Sequence, residues 1–159
     1  MDRGFANMAR GLLLSAARYP HKPALVEIDR LTLNYRELRD GAIRLAHRLL
    51  ARGVGKGDHV AILSGNSVEH MVALYATSFA GAVQIALDPK WTAREVAQAV
   101  EAFDCRIIIA DEALGNALAL LPPGAPPCGV MLYRRHAGRC ELLDETRGES
   151  AVQIGRAHV

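Results

Sequence analysis

Three short stretches carry residue types that could do chemistry. Gly53-x-Gly55-x-Gly57 has the look of a nucleotide-binding glycine loop. A dinucleotide fingerprint, however, follows a strand and opens a helix, so that pyrophosphate meets free backbone amides. Here the glycines follow a helix-like stretch and precede a strand-like one, which makes them a turn. Ser64-Gly65-Asn66-Ser67 does lie between strand and helix, where N–H groups attract an anion. It lacks the rest of the fingerprint and is expected to cap the helix. Asp88-Pro89-Lys90-Trp91 closes an apolar run, at the strand end where ligands of open α/β sheets gather. The indole of Trp91 is expected to serve packing, as large aromatics usually do.

Other catalytic constellations are missing. His21, His47, His59, His70 and His136 show no metal-ligand spacing, and no G-x-S-x-G elbow supports a serine hydrolase. Glu27, Asp29, Glu37, Asp40, Asp58, Glu69, Asp88, Glu95, Glu101 and Asp104 fall at caps, turns and solvent faces, not in a general acid–base pair. Cys105, Cys128 and Cys140 are odd in number and lack C-x-x-C spacing, which points to neither a disulfide framework nor a zinc site and fits a reducing, cytoplasmic setting. No metal site is expected. The formal charge is +2, from 19 basic and 17 acidic residues, and the basic side chains are scattered, so nucleic acid is not an implied partner. Only Lys22, Lys56 and Lys90 among the basic residues are lysines, a bias of the kind GC-rich coding imposes. The apolar run Leu12–Leu14 is too short for a signal-peptide core. Met71–Leu87 is uncharged over 17 residues but breaks at Gly81 into a helical and a strand-like half, so no transmembrane segment is expected.

The elements that must position these stretches follow from periodicity. Residues 5 to 19 read as a short amphipathic helix, and 24–28 with 31–35 as two strands about a tight turn. Asn34 caps a helix running to about Arg52, with Glu37 completing a capping box and Leu38, Ala42, Leu45, Ala46 and Leu49 forming its buried face. Val60–Leu63, Val83–Leu87 and Arg106–Ala110 are unbroken apolar runs, the pattern of parallel strands covered on both faces. A helix capped by Asn66 or Ser67 separates the first two. A second, with Thr92 and Glu95 as its capping box and Val96, Val100 and Phe103 as its apolar face, separates the last two. This alternation demands right-handed crossovers and an α/β fold with a doubly wound parallel sheet. A weaker helix follows Asp111, prolines 122, 123, 126 and 127 forbid regular structure, Val130–Tyr133 is a candidate strand, and Glu141–Gly148 is expected to be exposed.

Two blocks add a family resemblance. Leu33-Asn34-Tyr35-Arg36-Glu37-Leu38 and Ser78-Phe79-Ala80-Gly81-Ala82-Val83-Gln84-Ile85-Ala86-Leu87-Asp88 resemble the first two core motifs of the AMP-forming adenylating enzymes: acyl-CoA synthetases, luciferases and peptide-synthetase adenylation domains. Between them, Gly53 to Leu63 and then Gly65-Asn66-Ser67 are similar to the segment that joins a long helix, a buried strand and a second helix in that family. The resemblance covers about residues 5 to 115 and implies an incomplete N-terminal subdomain of the AMP-binding enzyme fold.

The resemblance also implies a reaction: a carboxylic acid, with fatty acids the expected class, attacks ATP with magnesium to give an acyl-adenylate, and CoA then displaces AMP. Such chemistry needs a phosphate-cradling loop, a metal-binding acid and positive charge at the reacting phosphorus. No T-S-G-T-T-G-x-P-K-G-like stretch occurs before Val159, and the adenine, ribose, hinge and catalytic-lysine motifs are absent too. The chain is therefore expected to be inactive alone, to bind none of these cofactors well, to bear no catalytic residue and to expose apolar surface. One contact is implied, Lys90 with a CoA nucleotide phosphate. Ser78-Phe79-Ala80-Gly81-Ala82-Val83 departs from the L-K-A-G-x-A-Y pattern of peptide-synthetase domains, which favours a CoA ligase. The alternatives are a peptide-synthetase adenylation domain and a small stand-alone α/β nucleotide-binding or scaffolding module. Residues 1–153 are taken as the incomplete domain. Residues 154–159, Ile-Gly-Arg-Ala-His-Val, match what a common sequencing adapter encodes and are taken as a non-native tail.

Overall fold

A computed structural model describes residues 8–114, 129–143 and 152–156. The chain opens with helix α1 (Met8–Arg18) and an antiparallel hairpin, β1 (Pro23–Glu27) and β2 (Leu31–Asn34), whose turn places Asp29 at φ +58°. Helix α2 (Tyr35–Ala51) starts as its sequence dictates. The Asn34 side chain accepts from Glu37 N and the Glu37 carboxylate accepts from Asn34 N, both at 2.9 Å. Then β3 (His59–Leu63), α3 (Val68–Ala80), β4 (Val83–Leu87), α4 (Ala93–Ala102) and β5 (Cys105–Asp111) alternate, and β6 (Gly129–His136), β7 (Arg139–Leu143) and β8 (Val152–Arg156) follow. Gly81 ends α3 in the left-handed conformation, φ +74°, which costs glycine nothing because it has no Cβ. The alternation of strands and helices between 59 and 111 is as expected from the sequence.

Six strands form one sheet in the order β4-β3-β5-β6-β7-β8. The first four are parallel and the last two antiparallel. Helices cover both faces. Val60, Ile62, Ile107, Ile109, Met131 and Tyr133 pack against Leu12 of α1, Leu38, Leu45 and Leu49 of α2, and Val72 and Ala76 of α3. Ala61, Leu63, Leu87, Ile108, Ala110 and Leu132 face the other way, toward Val96 and Val100 of α4. Consecutive residues of β3 and β5 alternate between these two cores, so the unbroken apolar runs serve both sides. Each fully buried Leu or Ile contributes roughly 1.5–3 kcal/mol.

Some expectations need correction. β4 lies at the edge of the sheet, where Val83 is 45% exposed and Ala86 is also exposed, so its apolar run does not mean burial on both faces. Phe103 is the C-cap of α4 and 48% exposed; the last turn has carried it off the face that Val96 and Val100 share. The antiparallel return through β7 and β8 has no counterpart in the apolar-run pattern. Strand β8 runs into the expected tail, through Ile154 to Arg156, which does not bear on where those residues are encoded. The helix expected after Asp111 is described only through Leu114, and the proline-rich segment and 144–148 lie outside the described residues, as do residues 5–7 of the first expected helix.

Candidate functional site

The winding of the sheet locates its ligand end. From β3 the chain crosses to α3 on one face, whereas from the neighbouring edge strand β4 it crosses to α4 on the other. The carboxyl end of β3 thus stands at a topological switch point, where open α/β sheets bind ligands. The glycine triplet lies at the opposite end. It is a plain turn, as expected: the Asp58 carboxylate accepts from Gly55 N at 2.8 Å, and Gly57 N donates to Gly81 O at 3.0 Å.

At the switch point Ser67 is the N-cap of α3, accepting from His70 N at 3.1 Å, and Asn66 is not. The first amide of the helix is also occupied. Val68 N donates to Glu27 Oε2 at 3.2 Å, so a carboxylate from the hairpin sits where an anion would be drawn to a helix N-terminus. Glu27 is further held by Arg30, through Nε at 2.5 Å and Nη2 at 2.6 Å, and by Arg135 Nη2 of β6 at 2.5 Å. Arg30 Nη2 also donates to Glu69 Oε2 at 2.7 Å, while Arg135 approaches Glu69 at 3.9 Å and Asp111 of β5 at 3.8 Å. Gly138 N, in the β6–β7 turn, donates to Arg30 O at 2.9 Å. Two guanidiniums and three carboxylates thereby fasten the hairpin to α3 and to the ends of β5 and β6.

The electrostatics follow from these contacts. The Arg30 hydrogen bonds hold the Glu27 carboxyl down at about 2, with the Val68 amide and Arg135 helping and partial burial opposing. Burial pushes the Tyr133 hydroxyl up to about 12, the neighbouring Ser64 and Ser67 hydroxyls offsetting part of it and the charges of Asp111 and Glu69 adding to it. Beside the cluster, Arg134 forms a bidentate pair with Glu112, and Asp111, Glu112, Ala113, Arg134 and Arg135 line an open cavity of about 510 Å³.

The Lys90 loop is built differently. It leaves β4, separated from β6 by β3 and β5, and is held by its own neighbours: Lys90 N donates to Asp88 Oδ1 at 2.8 Å and Trp91 N to Asp88 O at 3.0 Å. Thr92 and Glu95 close their capping box just after it. Lys90 is exposed, and Trp91, 39% exposed, belongs to neither core, contrary to the packing role expected of it. The structure does not bring Lys90 together with the charged cluster. Glu27 and Glu69, taken from sequence as turn and solvent-face carboxylates, are instead the centre of that cluster. Nothing in local spacing signals partners 39 and 108 residues away.

These residues do not fit a nucleoside triphosphate with its metal. The cations at the switch point are matched by carboxylates, the helix amide is capped by Glu27, and among the described residues no group of three or more His, Cys, Asp or Glu could hold a metal ion. No adenylation step is assigned to them.

What the geometry defines is an α/β protein with a parallel sheet wound to both faces and its ligand end at the β3 junction. The sequence profile of the AMP-binding enzymes matches residues 13–154, and the chain belongs to that family. It is 37% identical over 93 residues to the 2-succinylbenzoate–CoA ligase of Oceanobacillus iheyensis, covering 58% of this chain and 19% of that one. It is 34% identical over 105 residues to phosphinothricin tripeptide synthetase PhsC of Streptomyces viridochromogenes, covering 66% of this chain and 10% of the other. In fold it resembles the Mycobacterium tuberculosis fatty acyl CoA synthetase, with a TM-score of 0.70 at 22% identity over 87% of this chain and 34% of that structure. The chain thus spans about a third or less of each. Among the described residues no helix is long and apolar enough to cross a membrane.

Proposed function

We propose that this chain is the front portion of an AMP-forming acid–thiol ligase, residues 1–153 being native and 154–159 adapter-encoded, and that it supports the adenylation site without forming it. The observation that carries this reading is the family match over residues 13–154 in a chain without a phosphate-loop sequence, whose switch-point arginines are matched by its own carboxylates. The complete enzyme would join a carboxylate to AMP with release of pyrophosphate and then pass the acyl group to the CoA thiol with release of AMP. ATP, magnesium and CoA are its cofactors, and a small carboxylic acid its substrate. Relatives include both a CoA ligase and a peptide synthetase. The Ser78–Val83 block favours the CoA ligase, and a relative described as a medium/long-chain-fatty-acid–CoA ligase, 29% identical over 128 residues, supports a fatty acid as substrate.

A carboxylate-dependent pyrophosphate-exchange assay tests the reading. The 159-residue chain is expected to give no exchange above background, and the gene extended past codon 153 in its genomic context is expected to restore it. Exchange by the chain itself would overturn the proposal. A genomic copy that continues through the six terminal codons into ordinary coding sequence would show the tail to be native.

A further inference from the structure

The near-neutral total charge conceals an asymmetry. Residues 1–56 carry 11 Arg and Lys against 5 Asp and Glu, a formal +6, whereas residues 57–159 carry 8 against 12, a formal −4. Scattered along the sequence, the basic residues are gathered by the fold, because α1 and α2 both come from the first part and cover the same side of the sheet. On the opposite side α4 exposes Arg94, Glu95, Gln98 and Glu101, the ordinary mixture of a solvated helix. The exposed positions of α2 are instead Arg36, Arg44, His47, Leu50 and Ala51, with no acid. From residue 8 to residue 56 the one exposed acid is Asp29, in the hairpin turn.

Helix α1 takes this furthest. Ala9, Leu12 and Ala16 turn inward. The exposed positions of the helix hold Arg10 and Arg18 and otherwise only Met, Gly, Leu and Ala. By helical spacing Leu14, 63% exposed, lies on the side away from Leu12, with Arg10 and Arg18 one turn to either side of it on the same face. Leu13, 43% exposed, flanks it. Where the helix ends, the Tyr19 ring carries two cations, the Arg18 guanidinium 5.2 Å and the Lys22 ammonium 4.4 Å from its centroid. Arg36 starts beside them, since its backbone nitrogen donates to Pro20 O at 3.1 Å. A helix on a solvated surface turns polar groups outward, and here leucines stand among cations instead. That pattern is complementary to a surface that is anionic outside and apolar beneath.

We propose that the outer face of α1 docks on an anionic lipid bilayer, with Leu13 and Leu14 at the acyl boundary and Arg18, Lys22 and Arg36 at lipid phosphates. The long basic side chains reach the headgroups while the leucines go deeper, and Tyr19 has the apolar ring and polar tip that suit the boundary between them. Charge selects this occupant over others. A second copy meeting the same face about a two-fold axis would set the cations against themselves. A nucleic acid would match the cations but leave the leucines against sugar and phosphate. The attachment is peripheral, the helix lying in the interface without crossing the bilayer. This inference goes beyond the ligase reading and does not depend on it.

The test is co-sedimentation of the 159-residue chain, and of the complete enzyme, with phosphatidylcholine vesicles made with and without phosphatidylglycerol. Both proteins are expected to bind only the anionic vesicles, and added salt to weaken the binding. Arg18→Gln with Lys22→Gln should weaken it about twentyfold, at about fivefold for each cation lost. Leu13→Gln with Leu14→Gln should weaken it about tenfold. All four side chains are exposed, so circular dichroism of these variants should match the native protein. Depth is read with Leu14→Trp in a Trp91→Phe background, whose emission should shift to the blue on anionic vesicles and be quenched by brominated acyl chains. The emission of native Trp91, which leads into α4 on the other side of the sheet, should not move. Absent binding, equal binding to neutral vesicles, variants that bind like the native protein, or an unshifted emission from the Leu14→Trp variant would each overturn the proposal. So would binding by the chain but not by the complete enzyme, which would show that the rest of the enzyme covers α1. Self-association abolished by Leu14→Gln would give the face to a second copy, and equally strong binding to duplex DNA would give it to any polyanion; either result also overturns the proposal.

Discussion

The junction after β3 and the loop after β4 leave adjacent strands at the same end of one sheet, yet they are held in opposite ways. The loop Asp88–Trp91 is fixed by bonds that span two or three residues, and its side chains stay in solvent. The junction Ser64–Ser67 leads into a helix whose first turn is gripped by residues remote in sequence, Glu27 at Val68 N, Arg30 at Glu69 and, at 3.9 Å, Arg135 at Glu69. A locally held loop can change its side chains at little cost to the fold. A junction held by distant charges cannot, because losing Arg30 would strip the buried Glu69 carboxylate of its hydrogen-bonded partner. The two regions therefore divide the labour: the junction stiffens the end of the sheet, and the loop presents chemistry to solvent.

The largest effect that would break this comparison is at Glu69. Glu69→Ala should cost about 3 kcal/mol in urea unfolding, because it removes the carboxylate from a nearly buried ion pair with Arg30. A loss under about 0.5 kcal/mol would mean that the junction is no more tightly held than a surface loop.

Next comes Glu27, through both size and pH dependence. Glu27→Gln keeps the shape but weakens three charge-assisted contacts, with an expected cost of about 2 kcal/mol at neutral pH. Because the folded carboxyl titrates at about 2, below its ordinary 4.5, it contributes stability above about pH 4.5. That stability is lost as the pH falls toward 2. Native and Glu27→Gln unfolding curves, measured from pH 7 to 2, should therefore stay a constant distance apart down to about pH 4.5 and then converge. Parallel curves throughout would show that Glu27 is not held by its arginines in solution.

The same contrast explains what could be read from the sequence. The helices and parallel strands between Leu31 and Ala110 were legible because each is announced locally: capping boxes at Asn34–Glu37 and Thr92–Glu95, an i, i+4 apolar face on α2, and apolar runs at β3 and β5. The edge position of β4 was not, since an apolar run carries no information on how many neighbours a strand has. Nor was the charged cluster. Glu27 and Arg30 meet within the hairpin turn, three residues apart, but Glu69 and Arg135 join them only when the sheet brings the end of β6 beside α3. Lys90 is singled out by a family resemblance, and its loop by its place after a strand, a place that the structure reproduces.

Thr92 gives a smaller effect that sharpens the comparison. Thr92→Ala removes the N-cap of α4, where Thr92 Oγ1 accepts from Glu95 N at 3.3 Å, and should cost about 1 kcal/mol. More telling is additivity. Thr92→Ala combined with Asn34→Ala should sum within about 0.5 kcal/mol, because the two caps share no partner, whereas Glu27→Gln with Glu69→Gln should depart from the sum by more than that. Equal additivity in both pairs would erase the distinction between a local and a networked hold.

Lys90→Ala should have the smallest effect on stability, within about 0.5 kcal/mol, because the bond that anchors residue 90 uses its backbone nitrogen and survives the change. Its functional effect in the complete enzyme should be of another kind. If the exposed ammonium meets a CoA phosphate, alanine removes a contact made equally in the bound and transition states. KM for CoA should then rise severalfold, with kcat and the KM for ATP unchanged, and the difference should shrink with added salt. Lys90→Arg should restore most of the affinity, since a phosphate accepts either cation in an open site. An unchanged KM for CoA would leave Lys90 as a solvated lysine, and a fall in kcat would place it in the chemistry, where a loop held only by its own neighbours is poorly fitted to serve.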